Sequence, residues 1–319
     1  MKTKKIVVIY SGDDWHKEIP FSSPATKISF ENWHERGLQE NVEFYRASIK
    51  WFNKKNLTFS KSWAYRDKVW IKVTVPVKPD LIFDKVAGKH DYALFDWKMR
   101  LAQNIPIFNH PLFRTIADNK LSQYLILGEF MPQSFLATNI TELQVAAKKI
   151  KSSKVVLKPI YGSGGIGIVI DEKKKALQTK LTYPVFAQEF IVSQKGIPGF
   201  SQKNEVSDLR LIFMNHKLVY ALSRIAKKGS LFTNFHQGAS AVLVPKKYIP
   251  KNVQTMTKKI IQKLSVFPSA NYSLDFIFTN SGKPLLVEMN TTPGFDLLHI
   301  VGDEKTKNKN FQEFISILK

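Results

Sequence analysis

The chain has 319 residues, 44% of them hydrophobic, which exceeds one ordinary domain and allows a large core; it has no cysteine, so thiol nucleophiles, thiolate metal sites and disulfides are excluded. Lysine and arginine number 48 against 26 aspartate and glutamate, a net charge of +22 that suits an anionic partner or else reflects a lysine-rich proteome. The apolar run Ile6-Val7-Val8-Ile9 is too short for a signal-peptide core and no stretch could span a bilayer, so the expectation is a cytoplasmic protein without a membrane partner.

A β-branched run over residues 5–11, ending in Ser-Gly, predicts the first strand of an α/β unit. Apolar residues near helical spacing over 30–52 (Trp33, Leu38, Val42, Tyr45, Ile49) predict a partly helical stretch. Strands are expected over 69–77 and 80–84, punctuated by Pro76 and Pro79, then a helix over 96–103 and a short strand over 105–109. This alternation predicts an open parallel sheet in a first domain, 1–112. Near His110-Pro111 a new unit begins, with a helix over 115–128 carrying Lys120 and another over 139–150 capped by Asn139 or Thr141. Strands over 155–159 and 167–170 flank a glycine loop. Further strands are expected over 185–191, 208–213, 218–223 and 239–244. An amphipathic helix then covers 251–264, with Val253, Met256, Ile260 and Leu264 on one face. Residues 273–278 and 284–289 read as a hairpin, and 311–318 as a closing helix. The fold class is α/β (α+β), and no internal repeat is visible.

Lys158 introduces Gly162-Ser163-Gly164-Gly165-Ile166-Gly167, a G-x-G-x-x-G pattern that means little without context. A dinucleotide fingerprint needs a helix after the glycines, but Ile168-Val169-Ile170 prefer a strand. A Walker A loop needs Lys and Ser/Thr after the last glycine, and both are missing. What remains is a strand–loop–strand hairpin whose backbone N–H groups can donate to phosphates. Protein kinases use that arrangement, yet H-R-D and D-F-G are absent; Asp275-Phe276-Ile277 is the nearest approach. A ligand-free turn is the simpler alternative, but four glycines in six residues are more than a turn requires.

If Ser281-Gly282 form a two-residue turn, Asn280 pairs with Lys283 and Asp275 falls directly opposite Glu288. Asn290 then projects from the face of Glu288, while Leu274, Phe276 and Phe278 meet Leu285, Val287 and Met289 on an apolar face. Facing carboxylates repel unless a cation lies between them, and this oxygen set suits Mg²⁺ or Mn²⁺. The alternative is a solvated polar face paired with lysines.

Taken in order, these residues resemble the ATP-grasp superfamily of ATP-dependent carboxylate–amine ligases over roughly residues 110–298. The likeness is strongest to the branch containing glutathione synthetase and the glutamate ligase that modifies a ribosomal protein. The resemblance implies an ATP-grasp fold: an N-terminal domain (1–112), a central lid (113–190) and a C-terminal antiparallel-sheet domain (191–319). It implies that Lys120 and Lys158 contact phosphates together with the loop Gly162, Ser163, Gly164, Gly165, Ile166 and Gly167. It further implies that the strand Gln188-Glu189-Phe190-Ile191 holds adenine and that Asp275, Glu288 and Asn290 hold Mg²⁺. Arg210, Arg224 and Asn234 would be catalytic, Asn234 lying in Asn234-Phe235-His236-Gln237-Gly238. The chain departs from its relatives at Gly238-Ala239, where they carry a second glycine, and at 193–207, an insertion rich in Gly, Pro and polar residues.

The implied reaction joins a carboxylate, acidic by the charge argument, to an amine through an acyl phosphate, on an amino acid or peptide. Dispersed lysines argue against nucleic acid. Two other readings differ in kind: an ATP-binding protein that docks on a polyanion, and a kinase-like phosphotransferase.

Overall fold

The computed structural model describes residues 2–86, 93–162, 164–202, 204–231, 233, 238–291, 293–294, 296–301 and 303–318. Strand β1 (Lys4–Tyr10) lies at the centre of a six-stranded sheet because Ile6, Val7, Val8 and Ile9 are all fully buried, as a strand covered on both faces requires. Helix α1 (Pro24–Gln39) starts with Ser23 as cap and Pro24 in its first turn. The helical expectation over 30–52 therefore holds only to Gln39. From Val42 to Ser48 the chain forms β2, parallel to β1. Short apolar runs such as Val42–Ile49 satisfy both periods, and the turn at Asn41, with φ of 55°, decided between them.

The first sheet is mixed, which corrects the expectation of an open parallel one. Strands β1, β2, β7 (Leu81–Asp84) and β8 (Ile107–Phe108) run parallel, while the hairpin β5 (Ser62–Arg66) and β6 (Val69–Val73) adds antiparallel strands at the β2 edge. Between them lies a short hairpin of β3 (Phe52–Asn53) and β4 (Thr58–Phe59). The β5–β6 turn is Asp67-Lys68 with φ of 48° and 64°. These are the left-handed pair a two-residue hairpin needs, written without the glycine that announces it.

A second sheet is antiparallel, in order β11-β10-β12-β9, made by β9 (Ser134–Ala137), β10 (Lys154–Pro159), β11 (Val169–Glu172) and β12 (Val185–Glu189). Helix Ile140–Lys149 covers it through Leu143, Ala146 and Ala147; Asn139 caps that helix by accepting from Glu142 N, whereas Thr141 lies inside it. The third sheet runs β15-β14-β13-β16-β17, with β13 (Ser207–Met214), β14 (Lys217–Ile225), β15 (Ser240–Leu243), β16 (Asn271–Phe278) and β17 (Pro284–Asn290). Helix Lys251–Leu264 has the expected limits and buries Val253, Ile260 and Leu264.

Two contacts fix the first and third sheets to each other. The closing helix, Glu304–Ile315, starts earlier than expected because Asp303 caps it, and Phe314 packs 4.7 Å from the Trp33 ring and 4.8 Å from that of Phe83. The buried Asn109 side chain donates to the carbonyls of Asn271 (2.6 Å) and Thr291 (2.8 Å) and accepts from Asn271 N. This amide therefore anchors the start of β16 and the end of β17, the two strands that carry the acidic residues. Among the described residues, no helix is long and apolar enough to cross a membrane.

Candidate active site between the two antiparallel sheets

A cavity of about 150 Å³ separates the second and third sheets. Its apolar walls are Val156, Ile168 and Ile170 on one side and Ile277 and Val287 on the other, with Gln188, Glu189, Phe190 and Ile191 along one edge. Flat apolar walls with a polar edge suit a planar ring that carries hydrogen-bonding groups. Lys158, Asp208, Arg224, Asp275 and Glu288 line its deeper end.

Two cations approach from different elements. The expected helix over 115–128 is two helices, Pro111–Ala117 and Lys120–Leu127, broken where the Asn119 side chain accepts from Leu121 N and Ser122 N. The break puts Lys120 in the first turn, where its Nζ donates to Gly162 O (2.7 Å) and sits 3.6 Å from Glu288. Lys158, on β10, donates to Gln188 Oε1 (2.8 Å) and Val287 O (3.1 Å). Burial lowers the Lys158 ammonium to a pKa of about 8, against the pull of Glu288, with Lys120 adding to the fall.

The glycine loop joins antiparallel β10 and β11, so neither a Rossmann turn nor a Walker A loop is present. Gly162, Gly164, Gly165 and Gly167 all have φ between 72° and 114°, conformations that only glycine adopts without strain. Ile166 is 80% exposed and lies outside the cavity, whose wall is formed by the next residues, Ile168 and Ile170. Ser163 lies outside the described residues.

The acidic hairpin reaches the expected pairing by a different route. Thr279, not Asn280, pairs with Lys283, leaving a three-residue turn in which Gly282 has φ of 81°. That displaces the register by one: Phe278 faces Pro284 and Phe276 faces Leu286. A bulge then shifts it back, so Asp275 still faces Glu288 and Ser273 faces Asn290. Leu286 therefore joins Leu274, Phe276, Phe278 and Met289 in the core, whereas Leu285 and Val287, expected there, are only half-buried. Val287 is the extra residue; its side chain lines the cavity and its carbonyl is the one that accepts from Lys158.

The two carboxylates are already compensated by protein cations, which corrects the expectation that they repel. Asp275 accepts from Nε and Nη2 of Arg210 (2.8 and 2.6 Å) and from Nη2 of Arg224 (2.8 Å), and Arg224 Nε also donates to Asp208 (2.9 Å). Burial alone would raise the Asp275 carboxyl, but Arg210 and Arg224 hold it below the usual range. Burial would likewise lower Arg224, yet Asp208 and Asp275 drive its pKa well above the ordinary value. The result is a buried row, Asp208–Arg224–Asp275–Arg210, with charges in balance. It forms because Asp208 and Arg210 alternate on β13 while Arg224 faces Asp208 and Asp275 faces Arg210 across neighbouring strands.

The structure thus brings Lys158, Gln188, Glu189, Arg224, Asp275 and Glu288 to the lining of one cavity, with Lys120 behind Glu288, Arg210 behind Asp275, and Asn290 two residues on from Glu288. Asn234 and His236 lie outside the described residues. Sequence reading did not single out Thr233, whose hydroxyl donates to Asp208 (2.6 Å); the family resemblance set Asp208 with Arg210 and Arg224 beside the transferred phosphate, without its pairing to Arg224. The i, i+2 spacing of Asp208 and Arg210 was the available signal. Gln188 faces Lys158 and Ser134 with its side chain, and its backbone lies in the ladders to β10 and β9, so it serves to hold Lys158 at the cavity.

The RimK-like ATP-grasp domain model matches residues 117–308. A probable alpha-L-glutamate ligase of Nitrosococcus oceani is 29% identical over 169 residues, 53% of this chain and 52% of that protein. The chain thus spans about half the length of this curated relative. Among solved structures, D-alanyl-alanine synthetase A of Vibrio cholerae superimposes with a TM-score of 0.65 at 14% identity, over 99% of this chain and 98% of its own. A Chryseobacterium gregarium RiPP-associated ATP-grasp ligase, solved with ADP and a leader and core peptide, gives 0.62 at 14% identity over 99% and 96%. Likeness at this identity establishes the fold, including the first sheet that the family model does not reach. Since that model spans most of the chain and takes in both lysines, the glycine loop and the acidic hairpin, the chain belongs to the RimK-like ATP-grasp family.

Proposed function

We propose that the chain is an ATP-dependent carboxylate–amine ligase acting on an amino acid or peptide. The observation that carries this reading is the buried row Asp208–Arg224–Asp275–Arg210 at the inner end of the cavity, beside Lys158 and Lys120. Cations fixed in advance by hydrogen-bonded carboxylates stabilise developing charge without having to reorganise. Adenine fits between the apolar walls, with the backbone of Glu189 to Ile191 at its edge, which leads the phosphate tail toward Lys158, Lys120 and the loop amides.

In this reading an oxygen of the substrate carboxylate attacks the γ-phosphorus, the bond to the β–γ bridging oxygen breaks, and ADP leaves. Arg210 and Arg224 orient the carboxylate and spread the charge of the moving phosphoryl group. The amine then attacks the acyl phosphate carbon, phosphate departs with one carboxylate oxygen, and the amine nitrogen gives up a proton. The donor set of two carboxylates and an amide on the paired strands β16 and β17 fits a hard divalent cation such as Mg²⁺, with Glu288, the more open carboxylate, opposite Asp275 and two residues from Asn290. When bound, such an ion would neutralise the β- and γ-phosphates.

Acid labelled with ¹⁸O is expected to give labelled phosphate, ADP and amide together. Amide accompanied by unlabelled phosphate would exclude the acyl phosphate. Calorimetry provides a second check. A hard divalent cation would join Glu288, the more open carboxylate, to the phosphate oxygens, so ATP should bind about tenfold or more weakly in EDTA than with Mg²⁺. Equal affinity in the two conditions would remove Asp275, Glu288 and Asn290 from the metal role.

A further inference from the structure

The first sheet carries a second charged surface, separate from the cavity, at the carboxyl ends of β1 and β2. The loop after β1 is anchored there by two carboxylates. Asp14 is buried and accepts from Trp63 Nε1 (3.1 Å) and the Tyr10 hydroxyl, and Asp13 accepts from Trp51 Nε1 (3.3 Å). They seat Trp15 with its ring centre 5.3 Å from that of Trp51 and 5.6 Å from that of Trp63. Two ammonium groups rest on this tryptophan floor: Lys61 lies 4.9 Å from the Trp15 centroid and 5.0 Å from that of Trp51, and Lys72 lies 5.3 Å from Trp63 and 5.5 Å from Trp15.

Cation–π contact holds these lysines in place while their N–H donors remain available. Neither forms an ion pair with a described carboxylate. Residues 49–73 contain seven lysines and arginines against Asp67, and Asp13, on the loop after β1, is the carboxylate that acts on Lys61. Trp63 is 1% and Trp51 5% exposed, and the half-buried Trp15 ring carries both ammonium groups, which leaves little indole face on which a nucleobase could stack. What this surface offers is fixed point charges for carboxylates.

We propose that Lys61 and Lys72 bind an acidic peptide segment at this surface, outside the reacting centre. The two lysines lie at the edge of the sheet where β1 and β7 end. Lys85, just beyond β7, reaches from that same edge to Pro293 O (3.1 Å), next to the end of β17. A peptide held at Lys61 and Lys72 therefore lies on the side of the first domain that faces the acidic hairpin.

The proposal concerns binding and stands apart from the ligase reading. Anisotropy of fluorescein-labelled hexaglutamate, titrated with the full chain at low ionic strength and without nucleotide, tests it. The double variant K61A/K72A is expected to bind about tenfold more weakly than the parent. K258A/K259A, on the exposed face of helix Lys251–Leu264, should bind like the parent, and so should Glu288→Gln. Absence of binding by the parent, or equal loss in the two lysine pairs, overturns the proposal. Tighter, Lys61- and Lys72-dependent binding of a thymidine hexanucleotide overturns it too. Peptide binding without any amide formation would leave this surface in place and count only against the ligase.

Discussion

Lys158→Ala is expected to slow ATP-dependent amide formation on the order of 10²–10³-fold with the fold intact. The ammonium is carried to the end of the cavity by β10 and held by Gln188 and the Val287 carbonyl, so its charge is aimed before substrate arrives. That placement works against stability in the free protein. A lysine whose folded-state pKa is about 8 rather than 10.5 binds fewer protons when folded, so its burial cost is fully felt below pH 8 and relieved as pH rises toward 10.5. The variant should therefore melt at or above the parent's temperature at pH 7, with the difference shrinking toward pH 10. Steady-state kinetics and thermal melts on the same samples check both halves. Parental turnover in the variant would show that the phosphates lie elsewhere.

Arg224→Met should have the opposite balance, with both stability and activity lost. It leaves Asp208 and Asp275 buried at 2% and 1% exposure and one cation short. Breaking a buried pair in this way typically costs about 3–5 kcal/mol. Arg210→Met should cost less, because that side chain is somewhat more open and Arg224 still serves Asp275. The decisive variant is D208L/R224M, which removes two opposite charges together. It is expected to recover much of the stability lost by Arg224→Met, as balanced apolar replacements often do, while remaining inactive. If the double variant regains turnover, the arginine belongs to the scaffold and not to the chemistry.

The chain's local signals read well where one periodicity dominates. Helix Lys251–Leu264 was legible to the residue because its apolar positions repeat at helical spacing and nothing competes with them. The acidic pair was legible from alternation along the hairpin, whereas Lys158, Arg210 and Arg224 were legible through the resemblance to the ATP-grasp ligases; the pairing of β13 with β14 and β16 then brings the two arginines to Asp275. Reading failed where tertiary packing chose between periods, as at Val42–Ser48, and where a turn used unusual residues, as at Asp67-Lys68. It also failed at Asn119, whose cap divides one apolar run into two helices. The state of the carboxylates was beyond sequence altogether. Whether Asp275 repels Glu288 depends on which arginines lie on neighbouring strands, and that is a property of the sheet order.

Val287 separates two jobs that share a strand. Without this one residue the ladder between β16 and β17 would be regular from Phe278 to Ser273, and Asp275 would still face Glu288. The core side chains would keep their places as well. What would vanish is a carbonyl turned out of the ladder, and with it an anchor for Lys158. The carboxylates and the lysine are thus tuned by different parts of the backbone. A lineage, or a protein engineer, can move the cation by altering a single inserted residue without retuning the acidic pair.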